Sequence, residues 1–264
     1  MDCTFASDNT SGVHPKVMEA LNKANVGAAE PYGDDPWTAE AEGCFKALFG
    51  DGVDVFLVPL GTGANVLGFN RMIRSWHSIL CSDMAHTHTS ESGAVEAVVG
   101  CKMTPIPSVH GKISAGALSA YLTDMGSPPH SQPGLVALTQ STEVATVYTP
   151  EEIKAIVDVA HANGLFVHMD GARIANAAVA LGCDVRSFTK DLGVDMMSFG
   201  GTKNGMMMAE SVVVFNKDFV RDFVTLRKQN LQLASKMRFL AAQYIAYFKD
   251  GLWLENARHA NNMA

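Results

Sequence analysis

The sequence has no CxxC pair. Its five cysteines, Cys3, Cys44, Cys81, Cys101 and Cys183, are scattered and odd in number, which argues against a disulfide framework or a cysteine zinc site and suits reduced thiols. No apolar run reaches the roughly 18 residues that a membrane-spanning helix needs. The opening Met1-Asp2-Cys3-Thr4 lacks the basic start and apolar core of a signal peptide. Basic stretches are missing too: the net charge is −7, the pI about 5.7, and the densest cationic patch is Arg227-Lys228 with Lys236 and Arg238. No nucleic-acid partner is expected. The chain has neither the Gly-Lys-Ser/Thr of a Walker loop nor the Gly-x-Ser-x-Gly elbow of a serine hydrolase. Hydrophobic residues make up 47% and charged residues 18% of 264, which leaves a globular chain with a sizeable core, expected in the cytoplasm.

Short apolar runs alternate with amphipathic ones. Val53 to Pro59, Gly134 to Thr139, Leu165 to Met169, Val194 to Phe199 and Ser211 to Phe215 read as buried strands, and Gly61 to Arg74 as a helix. Thr149-Pro150-Glu151-Glu152 opens another helix, with Thr149 as N-cap and Glu152 closing a capping box, and Gly164 is its left-handed stop. After Lys217 the spacing predicts one long helix to about Phe248. The alternation implies an α/β fold with a mostly parallel central sheet flanked by helices. Residues 1–249 form the large domain, and 250–264 begin a second, C-terminal one.

In such sheets ligands bind beyond the carboxyl ends of the strands, and three polar sites follow strand ends here. Leu60-Gly61-Thr62-Gly63-Ala64-Asn65 is a glycine-rich strand-to-helix turn whose bare N–H groups and hydroxyl suit a phosphate, or are an ordinary tight turn. Asp170 ends the Leu165 run and opens Gly171-Ala172-Arg173; alone it reads more readily as a helix cap than as a cofactor ligand. Lys203 follows Gly200-Gly201-Thr202, a tight backbone that can bring an otherwise solvated lysine inward. A lysine and an aspartate about one strand–helix unit apart suit pyridoxal 5'-phosphate: the amine forms a Schiff base and the carboxylate holds the ring nitrogen protonated. Arg173 can bind a substrate carboxylate with two hydrogen bonds, or pair structurally with Asp170. His86 and His88, two residues apart, raise a metal site. With no third ligand in view, His86 as a platform over the ring, or as a base, is more economical.

With those residues in hand, the chain resembles the low-specificity L-threonine aldolases, in the beta-eliminating lyase group of fold-type-I pyridoxal-phosphate enzymes. The likeness rests on Phe5-Ala6-Ser7-Asp8-Asn9-Thr10, Pro31-Tyr32-Gly33-Asp34-Asp35-Pro36, Gly61-Thr62-x-Ala64-Asn65, Ala85-His86 with Glu91-Ser92-Gly93, His168 to Arg173, and Ser198 to Gly205. It implies that Lys203 forms the imine, Asp170 pairs with the pyridinium, His86 covers the ring, and Gly61 and Thr62 hold the phosphate. It places Arg173 beside the cofactor, where Arg173, Ser7 and Tyr32 bind the small amino-acid substrate. It implies cleavage of L-threonine or L-allo-threonine to glycine and an aldehyde. The alternatives are β-elimination, racemisation, or a truncated protein that binds the cofactor without catalysis. A homodimer or homotetramer with shared sites is expected, in which Arg227, Lys228, Lys236 or Arg238 reaches a neighbour's phosphate. Family members continue past the position of Ala264 into a small domain that supplies a second arginine. They can also carry a histidine after the fourth-from-last strand motif, where this chain reads Gln140-Ser141-Thr142-Glu143-Val144, so the base for the hydroxyl is left open.

Overall fold

The computed structural model describes residues 7–264; Cys3, Phe5 and Ala6 lie outside them. The aliphatic and β-branched runs form strands covered on both faces, the pattern of a sheet sandwiched by helices. They are β1 (Asp54–Val58), β2 (His77–Ser82), β3 (Lys102–Ile106), β4 (Gln132–Thr139), β5 (Phe166–Gly171), β6 (Met196–Gly200) and β7 (Glu210–Val214). They make one sheet in the order β1-β7-β6-β5-β4-β2-β3. The pairs from β6 to β3 are parallel, and β7 is antiparallel to both β6 and β1. Among the described strands, β7 alone therefore runs against the rest.

The five apolar runs read from the sequence all become strands. β2 and β3 were not among them, because neither is a clean apolar run: β2 opens on His77, and β3 carries Lys102 and Pro105. Pro105 is tolerated because β3 lies at the sheet edge, where a missing N–H leaves no ladder bond broken on the open side. Alternate residues feed two cores. Val55, Leu57, Val167, Met169, Met197 and Phe199 face the helices Pro36–Phe49, Pro150–Ala162 and Arg238–Phe248. Phe56, Val58, Leu135, Met196, Val212 and Val214 face the helices Gly61–Met72 and Phe223–Gln229. The capping box forms as read: Thr149 accepts from Glu152 N, and Glu152 Oε2 accepts from Thr149 N.

The single long helix expected after Lys217 is instead a short turn at Lys217–Phe219 followed by the helices Phe223–Gln229 and Arg238–Phe248. The break falls at Leu231, with φ 62°. It has a packing reason. Phe223 and Leu226 serve the second core, whereas Leu233, Met237 and Leu240 serve the first, and no straight helix could reach both faces of the sheet. The last helix, Leu252–Met263, places Trp253 and Ala257 in the first core and pairs Asn261 with Asn176.

Because six strands share a direction, one sheet edge collects the turn after β1, Thr139 of β4, Asp170 of β5 and Gly200 of β6. β7 begins at this same edge, with Glu210 in register with both Val58 and Gly200. The crossing is tight. A Cβ on Gly200 would stand 2.5 Å from Ala172 O, and one on Gly171 2.4 Å from Ser198 O, so both glycines permit an approach that no other residue could.

Candidate active site

One cavity of about 280 Å³ opens at that edge, the size of a small-ligand site. Gly61, Thr62, His86, Asp170, Arg173 and Lys203, six of the residues singled out from the sequence, all line it. Ser7 and Tyr32 do not. Ser7 caps the turn Asp8–Thr10, accepting from Asn9 N, and Tyr32 is exposed under the Lys228 ammonium.

Asp170 is nearly fully buried, and donors surround its carboxylate. Oδ1 accepts from Ala172 N at 3.0 Å and from Ser198 Oγ at 3.4 Å; Oδ2 accepts from Asn65 Nδ2 at 2.9 Å. It thus caps the backbone after β5, as a strand-end aspartate does, while its carboxylate borders the cavity. Asn65 lies one turn into the helix Gly61–Met72, and its Nδ2 also donates to Glu91 Oε1 at 3.1 Å. Flanked by two carboxylates, the amide must present its N–H₂ group to them. Its Oδ1 is left buried without a partner.

Glu91 in turn holds His86, with Nδ1 2.8 Å from Oε1. The hydrogen bond from His86 Nδ1 to Glu91 raises the His86 pKa above its ordinary value, against the opposing effect of partial burial. His86 and His88 sit on a four-residue helix, His86–Thr89, not on a strand. Among the described residues no group of three metal-ligating side chains exists. On the other side of His86, Glu143 Oε1 accepts from His86 N at 2.7 Å and from Thr139 Oγ1 at 2.9 Å. Glu143 lines the cavity, and its Oε2 is buried with no hydrogen-bond partner.

Lys203 is the middle residue of the turn Thr202–Asn204, and both neighbours are clamped. Thr202 N donates to Glu210 Oε1 at 3.2 Å. Asn204 Nδ2 donates to Tyr247 Oη at 2.6 Å and to Trp253 O at 2.9 Å, and Asn256 donates back to Asn204 O. The C-terminal helices thereby fix the lysine's backbone. Arg173 does not pair with Asp170: its Nε and Nη2 bind Asp8 at 2.7 and 3.0 Å, a two-point ion pair about one-third exposed. Of the cationic patch, Arg227 is buried, donates to Leu57 O and stacks on Phe56, so it serves its own chain. Lys228 and Lys236 are exposed.

The donor set fits a phosphorylated pyridine aldehyde. It offers a cavity-facing lysine, an oriented carboxylate with two strands between it and the Gly61 turn, and an imidazole on the same cavity. Asn65, Glu143 and Glu210 are the site residues to which sequence reasoning gave no role of their own, Asn65 entering only as the end of the glycine-rich turn. A polar residue within the buried stretch Ala64-Asn65-Val66-Leu67 was the available signal for the first.

Comparison with known proteins agrees with this geometry. A family model described as beta-eliminating lyase matches residues 4–264. The low specificity L-threonine aldolase of Pseudomonas sp. (strain NCIMB 10558) is 43% identical over 261 residues, covering 98% of this chain and 75% of that protein. Its counterpart in Saccharomyces cerevisiae is 29% identical over 226 residues, covering 84% and 57%. A Leishmania major threonine aldolase structure superposes with a TM-score of 0.93 at 29% identity, covering 98% of this chain and 76% of that one. The fold is further shared with the Escherichia coli protein YbdL, at a TM-score of 0.71 and 15% identity. The chain belongs to the beta-eliminating lyase family.

Proposed function

We infer that the chain is a pyridoxal-phosphate-dependent threonine aldolase, cleaving L-threonine or L-allo-threonine to glycine and acetaldehyde. The convergence of Lys203, Asp170 and the Gly61 turn on one cavity carries this reading. When bound, the cofactor supplies an electron sink for the pair released as the Cα–Cβ bond breaks. Lys203 is the group that holds it covalently, and Gly61 N–H and Thr62 hold its phosphate at a helix N-terminus. Asp170, oriented by Asn65, Ala172 and Ser198, would hold the ring nitrogen, and His86 would lie against the ring.

The remaining residues handle the substrate. Arg173 exchanges Asp8 for the amino-acid carboxylate, a like-for-like replacement that sets the orientation of the bond to be broken. The β-hydroxyl proton needs an acceptor. His86 has its Nδ1 committed to Glu91 Oε1 and its backbone N–H to Glu143, so its place is fixed by those contacts. Glu143 is held by one oxygen and leaves the other without a partner, so Glu143 Oε2 takes the proton. The partners are a small amino acid and further copies of the chain, a dimer or tetramer with shared sites. Exposed Lys228 or Lys236, or Arg238, serves a neighbour's phosphate; buried Arg227 does not. No described helix is long and apolar enough to cross a membrane.

The test is product analysis with L-threonine. Glycine plus acetaldehyde supports the reading, whereas 2-oxobutanoate means elimination. Borohydride reduction of the loaded protein should attach the cofactor to Lys203, and failure to do so removes the basis of the proposal.

A further inference from the structure

Glu210 is an acid in an unexpected place. The antiparallel course of β7 brings its first residue to the edge where the parallel strands end, directly between Val58 and Gly200. The side chain is nearly fully buried, lines the cavity, and spends Oε1 on Thr202 N at 3.2 Å. Oε2 lies 4.0 Å from where a Cβ on Gly61 would stand. The carboxyl therefore faces the turn that, under the function proposed above, receives a doubly charged phosphate. An ionised carboxylate there would repel that phosphate.

We propose that Glu210 occupies the loaded site as the neutral acid and donates a hydrogen bond from Oε2 to the cofactor phosphate, so that phosphate capture carries one proton with it. Burial pushes the Glu210 carboxyl up to about 7, against the opposing pull of hydrogen bonding from Thr202 and of the Lys203 charge. The charged or titratable groups facing it are Lys203 and Asp170 across the cavity, and Tyr244 and Tyr247 from the helix behind, whose phenols burial keeps neutral. Glu210 is thus poised to take up a proton near neutral pH at no other group's expense.

The experiment compares binding of pyridoxal phosphate and of pyridoxal to the full apo-protein, followed by tryptophan fluorescence. The ratio of the two affinities isolates the phosphate, because imine formation and ring contacts are common to both. In the wild type that ratio should fall roughly twenty-fold from about pH 6.5 to about pH 8.5, the loss of neutral acid expected for a group titrating near 7. In Glu210→Gln, whose amide donates at any pH, it should stay nearly constant. A flat wild-type ratio, or a parallel fall in both proteins, overturns the proposal. Calorimetry of the wild type near pH 8 in buffers of different ionisation enthalpy gives a check that needs no variant. Pyridoxal phosphate should take up about one proton more than pyridoxal, and equal uptake overturns the idea. If neither compound binds at Lys203, the cofactor reading itself fails, which is distinguishable from normal binding with no pH dependence of the ratio.

Discussion

Asn65 places one amide between two carboxylates, its Nδ2 2.9 Å from Asp170 Oδ2 and 3.1 Å from Glu91 Oε1. Through it Asp170, the acid proposed to meet the ring nitrogen, is tied to Glu91, the acid that holds His86. Asn65→Ala removes the shared donor and leaves two buried acceptors short of a partner, a loss of roughly 2 kcal/mol. Asn65→Asp should be worse, since it adds a third carboxyl to the cluster. Urea unfolding of the apo-protein checks the first effect, and pyridoxal phosphate affinity should weaken in step. An unchanged midpoint for Asn65→Ala would show that the bridge contributes nothing.

Glu143→Gln separates anchoring from proton transfer. The amide oxygen can still accept from His86 N and Thr139 Oγ1, so the loop keeps its place, but the free end can no longer take a proton. Threonine cleavage should drop by about 10²-fold or more, the usual contribution of a general base. Exchange of the glycine α-proton in heavy water involves no hydroxyl and should stay within a few-fold of wild type. Equal losses in both reactions would make Glu143 structural.

Asp8 already pairs with Arg173 through both Nε and Nη2, the fork that the proposed function gives to a substrate carboxylate. Asp8→Asn removes the competing charge, so KM for threonine should fall a few-fold, a modest gain because the pair is about one-third exposed. Arg173→Lys should raise KM about ten-fold or more, since an ammonium cannot reproduce the two-point fork. A higher KM for Asp8→Asn would instead mean that Asp8 aims the guanidinium.

Lys203, Asp170 and the Gly61 turn were legible because each sits where an apolar run stops, and run ends in parallel sheets mark the ligand edge. What the sequence hid was set by packing. Asn65 and Asp170 meet across 105 positions, through a helix whose crossing of the sheet depends on the contact surface rather than on spacing. Glu210 reads as an ordinary start to the run Ser211 to Phe215, and only the reversed direction of β7 turns it toward the lysine. The motif around Ser7 was recognised, but its neighbour Asp8 makes the contact with Arg173. The expected long helix failed for the same reason: apolar spacing continues through Leu233, while the core being served changes side.

The buried Glu210 carboxyl also predicts how the empty protein responds to pH. Its folded value of about 7 stands above the ordinary 4.5, so between these limits the folded state binds more protons than the unfolded one. Stability must therefore fall as pH rises through that window and level off above it, the reverse of the usual carboxylate behaviour. For this one group the loss amounts to roughly 3 kcal/mol. Glu152, whose desolvation is outweighed by the hydrogen bonds it accepts from Lys112 and Thr149 and by the Lys112 charge, is lowered and contributes in the opposite sense, which obscures the total. The difference between wild type and Glu210→Gln cancels that background. Urea midpoints measured from about pH 5 to pH 8 should show the variant gaining on the wild type as pH rises. Midpoint curves that stay parallel would mean that Glu210 ionises in the folded chain as freely as in the unfolded one.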